Sequence, residues 1–401
     1  MQTKHYIIEK LPLTLRNNVK DDGTLIGLPY PYTVPCADGM FNELYYWDTY
    51  FTNKALFALG QIEQAENNVK DVLYLIDRFG FMPNGNRNYY TMQSQPPYAA
   101  LMVNDVFNAS GNLSFLKEAF VKLKKEYEFW MTRRLAPDGL NFYGCERSEQ
   151  DCVNMFNGCV AQRIGKDVGR DAKEAGRHYF AECESGWDFS PRFDGRCMDY
   201  NPIDLNSNLY LYEKLFAKYE VLLGEGDGSE WRVKAQSRAR AINELMWDSV
   251  DGVYKDYNYV TGKVSSVVSA ASFQPYFVGL ENSEQKRGLI NLLSLLESDR
   301  GIFATQPTDK KYQWAFPNIW APCQYVAVEG LLCGGFVKDA ERIAKKYVAL
   351  LDNNFAKYGK LFEKYNGVTG DTDAASEYDT PEMLGWTAGV YLSFNQYLSR
   401  D

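Results

Sequence analysis

The stretch AECESGWDFSPRF (residues 181–193) places one acidic residue, Asp188, directly after a Gly-Trp step and before an aromatic residue. A carboxyl group between Trp187 and Phe189 is expected to be partly desolvated, which favours its protonated form. A carboxyl group that is protonated near neutral pH can act as a general acid in catalysis. The same residues also allow a purely structural interpretation, in which Asp188 caps a helix or pairs with Arg192.

Helical periodicity surrounds this stretch on both sides. Apolar residues recur at three- and four-residue steps in a series of segments. The predicted helices span residues 48–60, 63–79, 95–109, 113–134, 205–223, 228–248, 283–297, 319–334, 337–356 and 381–399. Few strand-like alternations interrupt them, so the chain is predicted to be all-α. Paired helices of similar length suit a bundle, a solenoid or a closed toroid, and the absence of a fixed sequence period counts against an ordinary solenoid.

The chain is predicted to form one domain over residues 1–401. This length exceeds the usual size of a single domain, but a large helical toroid can bury one core over so many residues. Residues 1–40 show turn signals and little helical periodicity, and they are predicted to form an N-terminal strap. Residues 136–203 are a long, weakly periodic insert, and such irregular segments within a compact domain are often functional. No linker rich in Pro, Gly or Ser divides the chain.

Composition and charge favour a small neutral carbohydrate as the ligand. The chain is 15% aromatic, with 29 Tyr and 8 Trp. Aromatic rings with polar groups line carbohydrate grooves, although they also fill cores. The formal net charge of −9 argues against nucleic acids and anionic membranes as partners, because both favour basic surfaces. The oligomeric state stays open.

The N-terminal residues and the cysteines predict a cytoplasmic protein with reduced thiols. The first fifteen residues lack the apolar core and cleavage site of a signal peptide, and no run of eighteen apolar residues follows. A chain of this size needs no disulfides for stability. Cys145, Cys152 and Cys159 are evenly spaced, but there is no CxxC pair and the histidines are His5 and His178 alone. No metal site and no cofactor are therefore predicted.

Most of the unusual polar and aromatic residues lie in predicted connections between helices, where rigid scaffolds commonly display a site. The segment FNELYYWD (residues 41–48) ends in Asp48, which can equally be the N-cap of the next helix. Residues 80–97 include Asn84 and Gln95, whose amides suit sugar hydroxyls but also form turns. The other segments are QWAFPNIWAP (residues 313–322), FEKYN (residues 362–366), and EY followed by GWTAGV (residues 377–378 and 385–390).

In combination these segments resemble the trehalase family of glycoside hydrolases. The family pattern PGGRFxExYxWDxYF matches PCADGMFNELYYWDTYF (residues 35–51), and PNGNRxYYxxRSQPP matches PNGNRNYYTMQSQPP (residues 83–97). The patterns SGWDFSxR, QWDxPNxWAP, EKY and EY…GWTxGV match residues 185–192, 313–322, 363–365 and 377–390. These matches, which follow the family's order over about residues 35–392, are together far more specific than any one of them.

The resemblance implies an (α/α)6 toroid whose long loops form the active-site cleft, and an inverting hydrolysis of an α-glucosidic bond. By correspondence with the family patterns, Asp188 is the general acid and Glu363 is the general base. This division of roles between two carboxyl groups is the one that inverting glycosidases use. Glu377 corresponds to an acidic residue of the family that contacts glucose.

The resemblance also implies a set of sugar-binding residues. The positions that match sugar-lining residues of the family are Phe41, Tyr45, Trp47, Asp48, Asn84, Gln95 and Trp314. Trp187, beside the general acid, and Gln93 are further candidates for the substrate site. Arg147 and Glu149 correspond to the family's RPE element.

Departures from the family patterns concern the substrate more than the reaction. Met40 and Gln93 stand where the family has arginines, and neither side chain reproduces a guanidinium fork. Ala315 replaces the aspartate of QWD, and GDTDAAS (residues 370–376) replaces a glycine-rich lid. Trehalose hydrolysis is predicted, and two alternatives remain: an inverting glycosidase for another α-glucoside or glucosylated metabolite, and a catalytically silent sugar-binding protein. Retention of both carboxyl groups argues against the silent protein.

Overall fold

The computed structural model describes residues 2–165, 169–280, 285–309, 312–374 and 377–400. Its helices are α1 (Gln2–Lys10), α2 (Tyr46–Ala58), α3 (Ile62–Phe79), α4 (Ala99–Ser110), α5 (Leu113–Arg133), α6 (Glu149–Met155), α7 (Ala161–Arg163), α8 (Ala172–Glu184), α9 (Ile203–Leu223), α10 (Ser229–Leu245), α11 (Gln274–Phe277), α12 (Gly288–Leu296), α13 (Ala321–Cys333), α14 (Val337–Tyr358) and α15 (Gly385–Leu398). A π-helical turn (Phe156–Val160) joins α6 to α7.

The strands are two or three residues long. They are β1 (Leu15–Arg16), β2 (Tyr32–Thr33), β3 (Tyr200–Asn201), β4 (Trp247–Asp248), β5 (Val253–Tyr254), β6 (Tyr257–Asn258), β7 (Lys263–Val264), β8 (Asn318–Trp320) and β9 (Lys364–Asn366). They pair antiparallel as β1 with β2, β3 with β6, β6 with β7, β4 with β5, and β8 with β9. These pairs tie loops together and do not form a separate sheet layer.

Six of the described helices form a closed inner ring. Helix α2 packs against α4, α4 against α9, α9 against α11, α11 against α13, α13 against α15, and α15 returns to α2. Helices α3, α5, α10 and α14 pack on the outside of these six, while α12 packs against the 3-10 turn that leads into α11 and α1 packs against α14. The two concentric layers confirm the predicted all-α (α/α)6 toroid.

Burial separates the two layers. On the inner helix α2 every residue from Tyr46 to Asn53 is buried. The outer helix α3 is amphipathic, and it buries Val69, Val72 and Ile76 at helical spacing. Its last turn ends at Gly80, whose φ of 80° lies in the left-handed region that glycine adopts without strain. The inner helix α2 is thus buried on most sides, whereas the outer helix α3 exposes one face to solvent.

Two segments are more helical than predicted. Within the N-terminal strap, α1 packs against the outer layer, where the Thr3 hydroxyl donates to Asp352 at 2.6 Å. Residues 136–203 contain α6, α7 and α8. Helices this short take their stability from tertiary packing, so their sequences carry little periodicity. The helix predicted over residues 283–297 begins at Gly288, and residues 283–284 lie outside the described ranges.

The strand pair β8–β9 brings two of the sequence motifs together. Trp320 pairs with Lys364, and Asn318 pairs with Asn366. The ladder therefore fixes the segment around Glu363 beside the segment that leads into α13. Among the described helices, none is both long enough and apolar enough to cross a bilayer.

Candidate active site

A cavity of about 360 Å³ lies among the loops that precede the inner helices α2, α4, α13 and α15. Because these loops all lead into helix N-termini, the cavity lies at the end of the inner ring where those helices begin. The predicted site residues that line it are Phe41, Tyr45, Trp47, Asp48, Asn84, Gln93, Gln95, Arg147, Asp188, Trp314 and Glu363. The fold thus collects residues from distant parts of the chain into one wall.

Three predicted site residues do not line the cavity. Trp187 is 4% exposed and stacks on Trp314, with ring centroids 4.9 Å apart, so it lies behind a residue that lines the cavity. Glu377 has a side chain that is 2% exposed, and its Oε1 accepts a hydrogen bond from the backbone of Gln313 at 3.4 Å. Glu149 starts α6 and its side chain is 73% exposed, so it faces solvent, away from the cavity.

The carboxyl group of Asp188 pairs with an arginine that the sequence did not indicate. Arg163, at the end of α7, donates from Nη1 to Asp188 Oδ2 at 2.8 Å. Gln313 donates from its side chain to the backbone carbonyl of Asp188. Arg192, the partner suggested by proximity in the sequence, pairs instead with Asp204 and Asp256. The Asp188 side chain is 31% exposed, so Arg163 fixes its carboxyl group and Gln313 fixes its backbone at the cavity wall.

Both oxygens of the Glu363 carboxyl group accept hydrogen bonds. Tyr378 donates its hydroxyl to Oε1 at 2.8 Å, and Lys364 donates from Nζ to Oε2 at 2.5 Å. The side chains of Glu363 and Lys364 are 2% and 0% exposed. Trp386 also donates from its indole to the backbone carbonyl of Glu363 at 3.1 Å. The two donors hold the carboxyl group of Glu363 in a fixed orientation.

Three buried carboxyl groups in and around the cavity have raised pKa values. Burial raises the pKa of Asp48 to about 8, and the charges of Glu363 and Asp188 add to this rise. Burial likewise raises the pKa of Glu377 to about 7, again with a contribution from Asp188. Burial raises the pKa of Glu182 to about 8. At neutral pH Asp48 is therefore largely protonated, and it can both donate to and accept from a sugar hydroxyl.

Stacked tryptophans form the apolar part of the wall. Trp314 stacks on Trp320 with ring centroids 3.8 Å apart, and Trp47 lies 5.7 Å from Trp314. Behind them the Arg192 guanidinium lies 4.6 Å from the ring of Trp187. Flat aromatic surfaces of this kind complement the apolar faces of sugar rings.

Hydrogen bonds between loops hold the polar part of the wall in place. The backbone amide of Trp47 donates to Gln95 Oε1 at 3.3 Å, and that of Tyr46 donates to the carbonyl of Asn84 at 3.0 Å. The segments that precede α2 and α4 are thereby fixed to each other. Arg147 donates to the backbone carbonyl of Tyr89 and to Gln93 Oε1, the latter at 3.3 Å.

Sequence reasoning missed several charged or polar contributors to the site, among them Tyr378, Lys364 and Arg163. Tyr378 and Lys364 lie inside quoted motifs, next to carboxyl groups that were singled out, and this adjacency was an available signal. Arg163 lies in the weakly periodic insert outside every motif, and nothing in its neighbourhood marks it. Met40, which stands where the family pattern has an arginine, lines the cavity and is 45% exposed.

The cysteines do not converge on a metal. Within the described ranges, no three His, Cys, Asp or Glu side chains approach one another as ligands of one ion would. Cys145 and Cys152 lie with their sulfur atoms 3.8 Å apart, while Cys159 is partly exposed. The segment predicted to replace the glycine-rich lid is described only as far as residue 374, and residues 375–376 lie outside the described ranges.

Known proteins that are similar to this chain point to one family. The family model for trehalase matches residues 8–399. A periplasmic trehalase of Xanthomonas oryzae pv. oryzae (strain MAFF 311018) is 34% identical over 402 residues, which cover 94% of this chain and 70% of the relative. The structure of neutral trehalase Nth1 from Saccharomyces cerevisiae is similar with a TM-score of 0.81 and 28% identity, covering 92% of this chain and 74% of that one.

A more distant structure shares the fold. The GH63 mannosylglycerate hydrolase from Thermus thermophilus superposes with a TM-score of 0.68 at 17% identity, covering 98% of this chain and 99% of that one. At this level of identity the likeness supports the architecture alone.

The bacterial relative corrects one prediction. The cytoplasmic location expected from the N-terminal residues is wrong in the light of this relative, which is a periplasmic protein. Location depends on targeting segments, which the composition of a folded domain does not record. The motifs, the toroid and the two comparisons with trehalases agree on the family itself. This chain belongs to the trehalase family of glycoside hydrolases.

Proposed function

We propose that this enzyme hydrolyses trehalose to glucose with inversion at the anomeric carbon, using Asp188 as the general acid and Glu363 as the general base. The observation that carries the proposal is that both carboxyl groups, which are far apart in the sequence, line the same cavity. The aromatic and amide side chains around them suit a neutral sugar. The two relatives that are named as trehalases support the choice of substrate.

In the proposed reaction Asp188 gives its proton to the glycosidic oxygen while the bond from that oxygen to the anomeric carbon breaks. Glu363 takes a proton from a water molecule, whose oxygen attacks the anomeric carbon from the opposite face. Inverting glycosidases hold the two carboxyl groups about 6.5–9.5 Å apart to admit this water. The hydrogen bonds from Tyr378 and Lys364 to Glu363 support its role, because they orient its carboxyl group.

We assign recognition of the two glucose units to the remaining side chains of the wall. The aromatic residues Phe41, Tyr45, Trp47 and Trp314 offer ring faces, with Trp187 behind them. The polar residues Asp48, Asn84, Gln93, Gln95 and Arg147 offer hydrogen bonds, and Glu377 reaches the site from beneath the surface. Because the inner ring closes only when α15 meets α2, we further infer that residues 1–401 act as one catalytic domain.

The test is release of glucose from trehalose, with the anomeric form of the first product followed by NMR. Inversion of one α-linked unit yields one β-glucose and one α-glucose from each trehalose. Asp188→Asn and Glu363→Gln each keep the shape of the side chain and remove the reactive carboxyl group. Each variant is expected to lose activity by about 10²–10⁴-fold. Glu149→Gln removes a solvent-facing carboxyl group outside the cavity and serves as the matched control.

Three outcomes would contradict the proposal in different ways. Release of α-glucose alone from the cleaved unit would refute inversion. Full activity of Asp188→Asn or Glu363→Gln would refute the assigned roles. The enzyme could instead leave trehalose intact and cleave another α-glucoside, with both variants inactive. That result would retain the proposed mechanism and refute trehalose as the substrate.

A further inference from the structure

Arg163 brings into the cavity a guanidinium group that no family pattern predicts. Its side chain is 23% exposed and lines the cavity from the end of α7. Its Nη1 atom lies 2.8 Å from Asp188 Oδ2 and 3.6 Å from Glu377 Oε2. The guanidinium carbon also lies 5.4 Å from the ring centroid of Tyr378. One cation thus contacts the proposed acid, a buried carboxyl group and the residue that donates to the proposed base.

The other basic side chains of the site are engaged elsewhere. Lys364 donates to Glu363, and Arg147 donates to the carbonyl of Tyr89 and to Gln93. Among the described residues, Arg163 is the basic side chain that forms a salt bridge with Asp188. Opposite charge and short distance make this contact the strongest constraint on the Asp188 carboxyl group.

We propose that Arg163 is a positioning residue for the general acid, which holds the Asp188 carboxyl group toward the leaving group and supplies a guanidinium to a cavity that lacks two of the family's arginines. Met40 and Gln93 occupy the positions of those arginines and also line the cavity. This inference rests on the proposed role of Asp188. It assigns to Arg163 no contact with the reacting atoms.

A positioning role through charge depends on which other charged groups lie around Asp188. The other titratable groups that face Asp188 are Asp48, Tyr90, Cys159, Glu182, Cys183, Glu377 and Tyr378. None of these is a base that carries positive charge, so removal of Arg163 removes the cation from this group of neighbours.

The experiment compares two substrates that differ in their need for the acid. Trehalose has a poor leaving group and needs protonation of the glycosidic oxygen, whereas α-D-glucosyl fluoride releases fluoride with little assistance. Arg163→Gln is expected to lower kcat for trehalose by about 10–100-fold with little change in KM. Its activity on the fluoride is expected to stay within about threefold of wild type, since that reaction does not depend on the acid.

A lysine variant separates charge from shape. Arg163→Lys keeps the positive charge and is expected to recover part of the kcat for trehalose that Arg163→Gln loses. Arg196→Gln, which removes a surface arginine from the same insert, is the control for activity and stability.

Equal losses on trehalose and the fluoride, with no recovery in Arg163→Lys, would overturn the proposal in favour of a merely structural role for Arg163. Unchanged activity on both substrates would overturn it as well. A wild-type enzyme that cleaves the fluoride but not trehalose would refute the proposed substrate instead, and the Arg163 comparison would then use the α-glucoside that the enzyme does cleave.

Discussion

We predict that replacing Arg192 with leucine lowers the free energy of unfolding by about 3–5 kcal/mol. The Arg192 side chain is 0% exposed, and its Nη2 atom lies 2.9 Å from Asp204 Oδ1 and 2.8 Å from Asp256 Oδ1. The side chains of these two aspartates are 10% and 1% exposed. Leucine would leave two carboxylates buried without a cation, and the desolvation of unpaired charge is the source of the cost.

The control is an arginine with the same kind of partners at the surface. Arg196 pairs with Glu174 and Asp199, but its side chain is 47% exposed. Surface pairs contribute about 1 kcal/mol or less, because water already solvates the charges. Arg196→Leu is therefore expected to change the free energy of unfolding by no more than that amount. Both variants replace an arginine that pairs with two carboxylates, and they differ mainly in how deeply that arginine is buried.

Urea unfolding followed by tryptophan fluorescence measures both changes. For a chain of this length, the loss in Arg192→Leu corresponds to a fall in Tm of about 4–6 °C. Burial already raises the pKa of Asp256, although Arg192 opposes this rise. Without Arg192 the pKa of Asp256 is expected to rise further, so the folded state binds protons more tightly than the unfolded state. The deficit relative to wild type should therefore shrink as the pH falls through the raised pKa of Asp256 in the variant.

A triple variant tests the cause. Asp204→Asn and Asp256→Asn added to Arg192→Leu remove both unpaired charges, and most of the lost stability should return. Equal destabilisation by Arg192→Leu and Arg196→Leu would refute the argument from burial. Failure of the triple variant to recover would show that the packing of Arg192 against Trp187, and not its charge, carries the effect.

Three further predictions concern the site and the thiols. Tyr378→Phe removes a 2.8 Å hydrogen bond to Glu363 and should lower kcat/KM for trehalose by about 10-fold or more, and an unchanged value in steady-state kinetics would contradict the role given to Tyr378. Burial raises the pKa of Asp48 to about 8, so this residue is largely protonated at pH 6 and asparagine resembles it in shape and charge. At pH 6 the KM of Asp48→Asn for trehalose should therefore lie closer to the wild-type value than that of Asp48→Ala, and KM values that rank the other way would refute this. Cys333 is exposed whereas burial raises the pKa of Cys36 to about 12, so peptide mapping after brief alkylation should find Cys333 modified first, and earlier modification of Cys36 would contradict the burial.

The helices were predictable where they are long. Helices α3, α5 and α9 begin and end within two residues of their predicted bounds, because a long amphipathic or buried segment repeats its apolar spacing many times. Helix α11 was missed although it belongs to the inner ring. It is four residues long, and a helix of that length depends on its neighbours for stability.

The candidate site was predictable where local motifs contain it. Asp188 and Glu363 stand in short patterns that can be read from the chain, and the structure places both at one cavity. Glu149 was grouped with them on the basis of a short pattern, but its side chain points into solvent from the first turn of α6. A short pattern fixes residue types and spacing, and the side-chain direction depends on how the helix is packed.

The sequence by itself determined the family, the all-α class and the two carboxyl groups proposed for catalysis, because these depend on local spacing and residue type. Only the tertiary structure decided which charges meet. Arg192 lies four residues from Asp188 in the sequence, yet it pairs with the buried Asp204 and Asp256, while Arg163 reaches Asp188 from the end of α7. Ion pairs depend on distance in space and on burial, and neither is fixed until the distant segments of the chain have packed together.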